Sequence, residues 1–198
     1  MDYTTLGNAK SILDAIGTSD DVLLARMITE ASRAADRHCA GFVNYSDNYF
    51  QIETITDDSR KGLLDRDGNI LVYARKPLVS SVSGFSYRYN PLSPWLDVPL
   101  SQITFDGYVI KAWIGLLAST RGRIETKVSY AGGLASSISG LPNDIINAVD
   151  LLSVRMYRES KTGVTDSIGV AELGTLQYTK ALPVRFVELL SPWQRKFA

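Results

Sequence analysis

Between residues 42 and 133 this sequence changes period, and that change limits the fold more than any other feature. Before it, Leu6, Ala9, Leu13 and Ile16 recur at spacings of 3, 4 and 3, the stripe presented by one face of an α-helix. Thr4 or Thr5 supplies a cap, and Gly17 a C-terminal stop. Thr18-Ser19-Asp20-Asp21 then offers a second cap and two acids for the positive end of the next helix dipole. That second helix is expected to run to about Cys39. Leu24, Met27, Ile28, Ala31, Ala34 and Ala35 form one narrow stripe on it, and the alanines admit a close neighbour.

Inside residues 42–133 Val, Ile, Thr and Tyr dominate, and turn pairs punctuate the run. YFQIETIT, NILVYA, SVSGFSYRY, YVIKAWI and RIETKVSY read as strands. Asp67-Gly68 and Asp106-Gly107 are short-hairpin signals, because both turn positions must tolerate positive φ. The prolines of KPL at 76–78 and NPLSPWLDVP at 90–99 suit loops and sheet edges. Helical grammar then returns. Pro142 opens a helix with Ile145, Ala148, Val149, Leu152 and Met156 on its apolar face, and Arg155, Arg158 and Lys161 stand near its negative end. Pro183 opens a short helix carrying Phe186, Val187, Leu189 and Leu190, stopped by Ser191-Pro192. The expected fold is α+β: a helical frame of residues 1–41 and 134–198, with an antiparallel β region at 42–133 inserted in it. The frame holds two N-terminal helices, one central helix and one short C-terminal helix.

Charge and chemistry exclude several function classes. Lys plus Arg equals Asp plus Glu at 21 each, so a tight grip on DNA phosphates is not expected. Cys39 is the only cysteine, which forbids an internal disulfide and fits a reducing compartment. MDYTTLGNAK has no basic region followed by an apolar stretch, and VIKAWIGLLA at 109–118 is interrupted by Lys111; a soluble chain without a secretory signal is expected. His38 is the only histidine, and it adjoins Cys39 on a helix, where neighbours point about 100° apart. That is poor geometry for a catalytic dyad, and one Cys with one His falls short of a zinc ligand set. Asp65-Arg66-Asp67-Gly68-Asn69 lacks the ligands of a calcium loop and reads as a charged hairpin tip. Asp57-Asp58, beside Ser59, Arg60 and Lys61, reads as a solvated turn. Gly132-Gly133 lacks the Gly-Lys-Ser/Thr continuation of a phosphate loop, and Trp95, Trp113 and Tyr130 are not interleaved with a basic stripe. No enzyme, metal or cofactor is expected.

SKTGVTDSIGVAELGTLQYTKALP at 160–183 follows neither helical nor strand period, and Gly163, Gly169 and Gly174 interrupt any helix. Loops of this length inside compact domains are usually functional or disordered. After the last helix, SPWQRKFA places two large aromatics beside two cations, and Pro192 directs the following residues into an extended segment.

Several phrases carry a family resemblance along nearly the whole chain. YTTLGNAKSIL followed by SDDVLLARMITEASRAADRHC resembles the opening of the head–tail connector (adaptor, or head-completion) proteins of long-tailed bacteriophages. RKPLVSSVSGF, VSYAGGLA with LPNDIINAVDLLSVRMYRES, and ALPVRFVELLSPWQRK resemble later segments of that family. Short members lack a β region as large as 42–133. The resemblance implies a structural virion protein of the neck, assembled in the host cytoplasm. About twelve copies are expected to form a head-to-tail ring on the portal protein, extending the DNA channel and presenting a docking surface to a tail or stopper protein. DNA would pass without specific binding, for which a neutral wall is suited. In such a ring, residues 160–183 read as an intersubunit arm built on Gly163, Val164, Ile168, Gly169, Val170, Leu173, Gly174 and Leu176. A mobile surface loop is the other reading. Trp193, Arg195 and Phe197 are expected to dock on the portal, unless Trp193 folds back onto Phe186 or Leu190. A tail-completion or stopper protein of the same neck is the nearest alternative. A carbohydrate-binding β module using Trp95, Tyr87 and Tyr89 is the alternative from another class.

Overall fold

The computed structural model of the chain describes residues 1–13, 17–40, 48–115, 124–162, 167–170, 174–177 and 182–194. In chain order the elements are α1 (Leu6–Ile12), α2 (Asp21–Ala40), β1 (Glu53–Leu64), β2 (Asn69–Tyr73), β3 (Val79–Arg88), β4 (Leu96–Asp97) and β5 (Ile103–Asp106). There follow β6 (Val109–Trp113), β7 (Ile124–Gly132), α3 (Asn143–Thr162), β8 (Ser167–Val170), β9 (Gly174–Gln177) and α4 (Val184–Leu190). The fold is α+β, with the four expected helices. Two compact units divide it: Met1–Asn48 with Ser137–Ala198, and Tyr49–Ser136.

In the helical unit Thr5 caps α1 by accepting a hydrogen bond from the Asn8 N–H at 3.1 Å. The helix stops at Leu13, whose N–H bonds the Lys10 carbonyl, so it ends before Gly17. Gly17 instead precedes a 3₁₀ turn, Thr18–Asp20. Of the two acids expected at the start of α2, only Asp21 lies in its first turn. Asp20 accepts hydrogen bonds from the Tyr157 hydroxyl at 2.8 Å and the Lys161 ammonium at 2.5 Å, which ties the entry of α2 to the end of α3. Those two donors, Lys161 first, hold the Asp20 carboxyl below its ordinary range.

The α2 stripe packs largely as its period predicts. Leu24, Ala31 and Ala35 are fully buried, with Met27 and Ile28 nearly so; Leu24, Met27 and Ile28 pack with Ala9 of α1 and Tyr157 of α3, while Ile145, Ala148 and Val149 are fully buried on α3. Small side chains on α2 let the two helix axes approach closely, while Phe186 and Leu190 of α4 close the core against α3. Each fully buried Leu, Ile or Phe stabilises such a core by about 1.5–3 kcal/mol. Ala34 is the exception to the stripe, because it lies among groove residues and not in the core. The unit also buries a carboxylate. Asp36 accepts hydrogen bonds from the Tyr3 hydroxyl, the Asn48 N–H at 2.9 Å and the Arg33 guanidinium at 2.8 Å.

The other unit is a seven-stranded antiparallel sheet in the order β4-β3-β7-β1-β2-β6-β5. It curls, since the Val79 N–H at the start of β3 bonds the Gly107 carbonyl in the β5–β6 turn at 2.7 Å. Inward positions alternate along each strand: Ile124, Thr126, Val128 and Tyr130 on β7, Ile70 and Val72 on β2, Ile110 and Ala112 on β6. Gly68 and Gly107 take φ of +83° and +55°, as the two predicted hairpin turns require.

Two readings of this region need correction. The first strand begins at Glu53, not at Tyr49, and it runs on to Leu64. Asp57-Asp58 is therefore not a solvated turn but mid-strand, at a bulge where the register against β7 shifts between Asp57 and Arg60. Asp57 is 1% exposed, pairs with Arg75 at 2.7 Å and accepts from the Tyr130 hydroxyl at 3.3 Å. The charged run DDSRKG hides this strand, because pairing with β7, continued at Leu63 and Leu64 by pairing with β2, holds it where local preference does not. β4 and β5 are also additional to the expected strands.

Candidate interaction surfaces

The residues that bear reactive chemistry are engaged in holding the fold. Cys39 is 1% exposed, and burial, reinforced by the charge of Asp36, pushes its thiol up to about 12. Its Sγ lies 3.9 Å from the Leu190 carbonyl. A thiol held protonated is a poor nucleophile. Iodoacetamide at pH 8 is therefore expected to leave Cys39 unmodified in the folded chain and to label it fully in denaturant, as read by intact mass. Rapid labelling of the folded chain would contradict this burial. His38 is half-buried with its ring tilted over Phe186 at 5.8 Å, and burial lowers its pKa. Its Nε2 meets the Gln194 side-chain amide.

Asp65 closes the hairpin tip. Its carboxylate accepts from the Asp67 N–H at 2.9 Å, the Asn69 N–H at 2.8 Å and the Asn69 side-chain amide at 2.8 Å. The Asn69 bonds come first among the causes that hold its pKa low. Among the described residues no group of three or more His, Cys, Asp or Glu is placed to hold a metal ion. No helix among them is long and apolar enough to cross a membrane. Trp95 carries the Arg88 guanidinium over its ring at 4.5 Å, and Arg88 also pairs with Glu125 at 2.6 Å. Tyr87 and Tyr89 meet edge to face at 5.6 Å.

The glycine-marked segment contains regular structure that its sequence did not suggest. β8 and β9 form a two-stranded antiparallel hairpin with Ile168 opposite Leu176, Gly169 opposite Thr175 and Val170 opposite Gly174. Gly163, Val164 and Leu173 lie outside the described residues. The signal was weak because each strand is only four residues long and each contains a glycine. At the end of α4 the chain continues into a 3₁₀ turn, Ser191–Trp193, with Pro192 near its start. Trp193 is thus half-buried in a turn and not extended, whereas Gln194 takes extended backbone angles. Its indole nitrogen is buried with no hydrogen-bond partner among the described residues. Arg195 and Phe197 lie outside the described residues.

Two further surfaces escaped sequence reasoning. The first is an apolar groove of about 480 Å³ between α2 and α3, lined by Ala34, Leu152, Met156 and Leu182 under Arg33 and Arg37. The second is the outer face of the curled sheet, where Leu63 stands opposite Leu71 and Tyr73 opposite Val109, with Trp113 51% exposed beside them. The signal for the latter was present in NILVY and VIKAW, which are apolar on both faces of a strand.

No family model and no curated protein matches the chain. Solved structures do. A chain in the neck of an empty gene transfer agent (GTA) particle, computed with C6 symmetry, superposes with a TM-score of 0.58 at 15% identity, over 98% of this chain and 90% of that one. A chain of the virion of a native GTA particle gives 0.55 at 15% identity, over 97% and 89%. A chain in the neck of a native GTA particle, computed with C12 symmetry, gives 0.51 at 16% identity, over 98% and 89%. At these identities the likeness establishes a common fold, and it extends across both compact units of the present chain.

Proposed function

We propose that this chain is a structural protein of the neck of a phage-like particle, a head–tail connector that forms a ring on the portal vertex. The ring would extend the DNA channel and present the surface on which a tail or stopper protein docks. One observation carries this reading: the fold, both units included, is that of chains from GTA particles, two of them from the neck, along 97–98% of the length. C6 and C12 symmetry in those necks favours a ring of about twelve copies. Net neutrality suits a wall past which DNA slides. The helical unit serves as the frame of the ring, and the β unit as an insertion carried by it. The β8–β9 hairpin acts as an arm between subunits, and Trp193 with the residues after it docks on the portal. No step of this work requires catalysis, a metal or a cofactor.

Deletion of the gene from a particle-producing strain is expected to leave DNA-filled heads without tails, seen by electron microscopy, with restoration by the gene supplied in trans. Normal tailed particles from the deletion strain would overturn the reading. Cross-linking of the tagged chain to portal protein in complete particles separates a connector from a tail-completion or stopper protein, which would cross-link to the connector or tail alone. The aromatic cluster Trp95, Tyr87 and Tyr89 gives the carbohydrate reading little support, because Arg88 already occupies one face of Trp95.

A further inference from the structure

We propose that Asp67-Gly68, at the tip of the β1–β2 hairpin, is a site of spontaneous covalent modification, where aspartate converts to isoaspartate through a cyclic imide. The chemistry needs no partner. The Gly68 main-chain nitrogen attacks Cγ of the protonated Asp67 carboxyl and a C–N bond forms. The carboxyl hydroxyl leaves as water with the proton from that nitrogen, and a five-membered succinimide results. Water then adds to one of its two carbonyls. Addition at Cγ restores aspartate. Addition at the former main-chain carbonyl leaves the chain running through Cβ and Cγ, which is isoaspartate. One water is lost and one is regained, so no oxidant or co-reactant enters. A following glycine favours the ring, because no side chain crowds the attacking nitrogen.

The sequence holds two such pairs, Asp67-Gly68 and Asp106-Gly107, and the fold treats them differently. Closing the ring turns the peptide plane about the aspartate Cα–C bond, which swings its C=O and the glycine N–H together. A hydrogen bond on either group opposes that motion. At Asp106 the plane is held. β5 and β6 pair Asp106 with Val109 across a two-residue turn, and in that pairing the Asp106 carbonyl accepts the Val109 N–H. The turn is gripped a second time from the chain before β3. Its Gly107 carbonyl accepts from the Val79 N–H at 2.7 Å, and its Tyr108 carbonyl from the Ala74 N–H at 2.8 Å.

At Asp67 the hydrogen bonds pass round the plane instead. The Asp65 carboxylate takes the Asp67 and Asn69 N–H groups at 2.9 and 2.8 Å, and the Gly68 carbonyl accepts the Ile114 N–H at 3.1 Å. Among the described residues neither the Asp67 carbonyl nor the Gly68 N–H is hydrogen-bonded, and the Asp67 carboxyl has no hydrogen bond or ion pair. The Asp67 side chain is exposed, so water reaches both the carboxyl and the imide that follows it. The product carries an extra main-chain carbon in a turn whose span Asp65 sets. Conversion therefore loosens the Asp65 cap and leaves the pairing of Leu64 with Ile70 beyond it in place.

The test incubates the full-length folded chain for weeks in warm, mildly acidic buffer and reads isoaspartate at both sites by peptide mapping with electron-transfer fragmentation. In the folded chain it is expected to accumulate at Asp67 at least about ten-fold faster than at Asp106, the rate equivalent of one hydrogen bond broken to turn the plane. In denaturant, where both planes are free, the two sites are expected to react at closely similar rates. Asp67→Asn should give the same product faster, with ammonia as the leaving group in place of water. Asp67→Glu, whose ring would need six members, should give none. Both variants are expected to keep the parent's melting temperature, since only the main chain of residue 67 is bonded. A folded-state ratio near one or in favour of Asp106 would overturn the proposal, as would an Asp67 that reacts only in denaturant.

Discussion

Gly133→Ala is expected to destabilise the β unit by about 3–5 kcal/mol. Gly133 takes φ of +133°, a region that side chains with a Cβ rarely enter, and holding one there costs about 1–3 kcal/mol. The added Cβ would also overlap the Gln51 carbonyl and come within 2.6 Å of the Ile52 nitrogen. These are backbone atoms in a clamp, where the Leu134 N–H bonds the Phe50 carbonyl at 2.8 Å and the Ile52 N–H bonds the Ala135 carbonyl at 2.9 Å. They have little room to give, so overpacking adds about 1–3 kcal/mol. A loss of this size lowers the melting temperature by roughly 6–20 °C in a chain of this length. Gly17→Ala is the control, since its Cβ meets nothing within 4 Å and its φ is −59°. It should melt within about 2 °C of the parent. If Gly133→Ala melts with that control, the clamp is not as tight as described.

Asp36→Ala is expected to cost the helical unit about 3–5 kcal/mol, the usual penalty for removing one partner of a buried charged pair. The carboxylate is fully buried and satisfies Tyr3, Arg33 and the Asn48 N–H together. Its loss takes the nearest carboxylate from a guanidinium that is only 20% exposed, which keeps the Asn48 Oδ1 and the Met1 carbonyl, and leaves two other donors without this acceptor. Tyr3→Phe removes one donor and leaves the ion pair, so about 1–2 kcal/mol is expected. Urea unfolding followed by circular dichroism measures both. Equal, small losses for the two variants would show that the network is not held by Asp36.

The helices were legible because their apolar period is long and their boundaries carry chemistry. Ile145, Ala148, Val149 and Leu152 need no tertiary context to declare a buried face. Asp67-Gly68 and Asp106-Gly107 declare their turns for the same kind of reason, a local backbone demand. What stayed hidden depends on partners distant in sequence. The second half of β1 is polar and is a strand only because β7, and at Leu63 and Leu64 also β2, pairs with it. Lys76 looks like an exposed loop residue, yet it is fully buried and paired with Glu53 at 3.0 Å. Ala34 follows the core stripe but falls beside a groove, since only the packing of α2 on α3 decides which flank of the stripe is filled. The hairpin was missed because two four-residue strands with glycines carry almost no periodic signal.

The pairing of Gln51 with Ala135 brings together the two ends of the β unit, Tyr49–Ser136, and this has a consequence for biosynthesis. A nascent chain releases α2 long before α3, from which it is separated by residues 41–142. At about 5–20 residues per second, the apolar stripe of α2 waits on the order of 5–20 seconds for its partner. A β unit that folds in that interval turns a long loop into a short clamp. By the logarithmic dependence of closure entropy on loop length, this lowers the cost of bringing α2 to α3 by roughly 1.5–2 kcal/mol. The order of events on the ribosome would then be sheet first and helical bundle second, with the sheet acting as a chaperone in cis for the helices that enclose it in sequence.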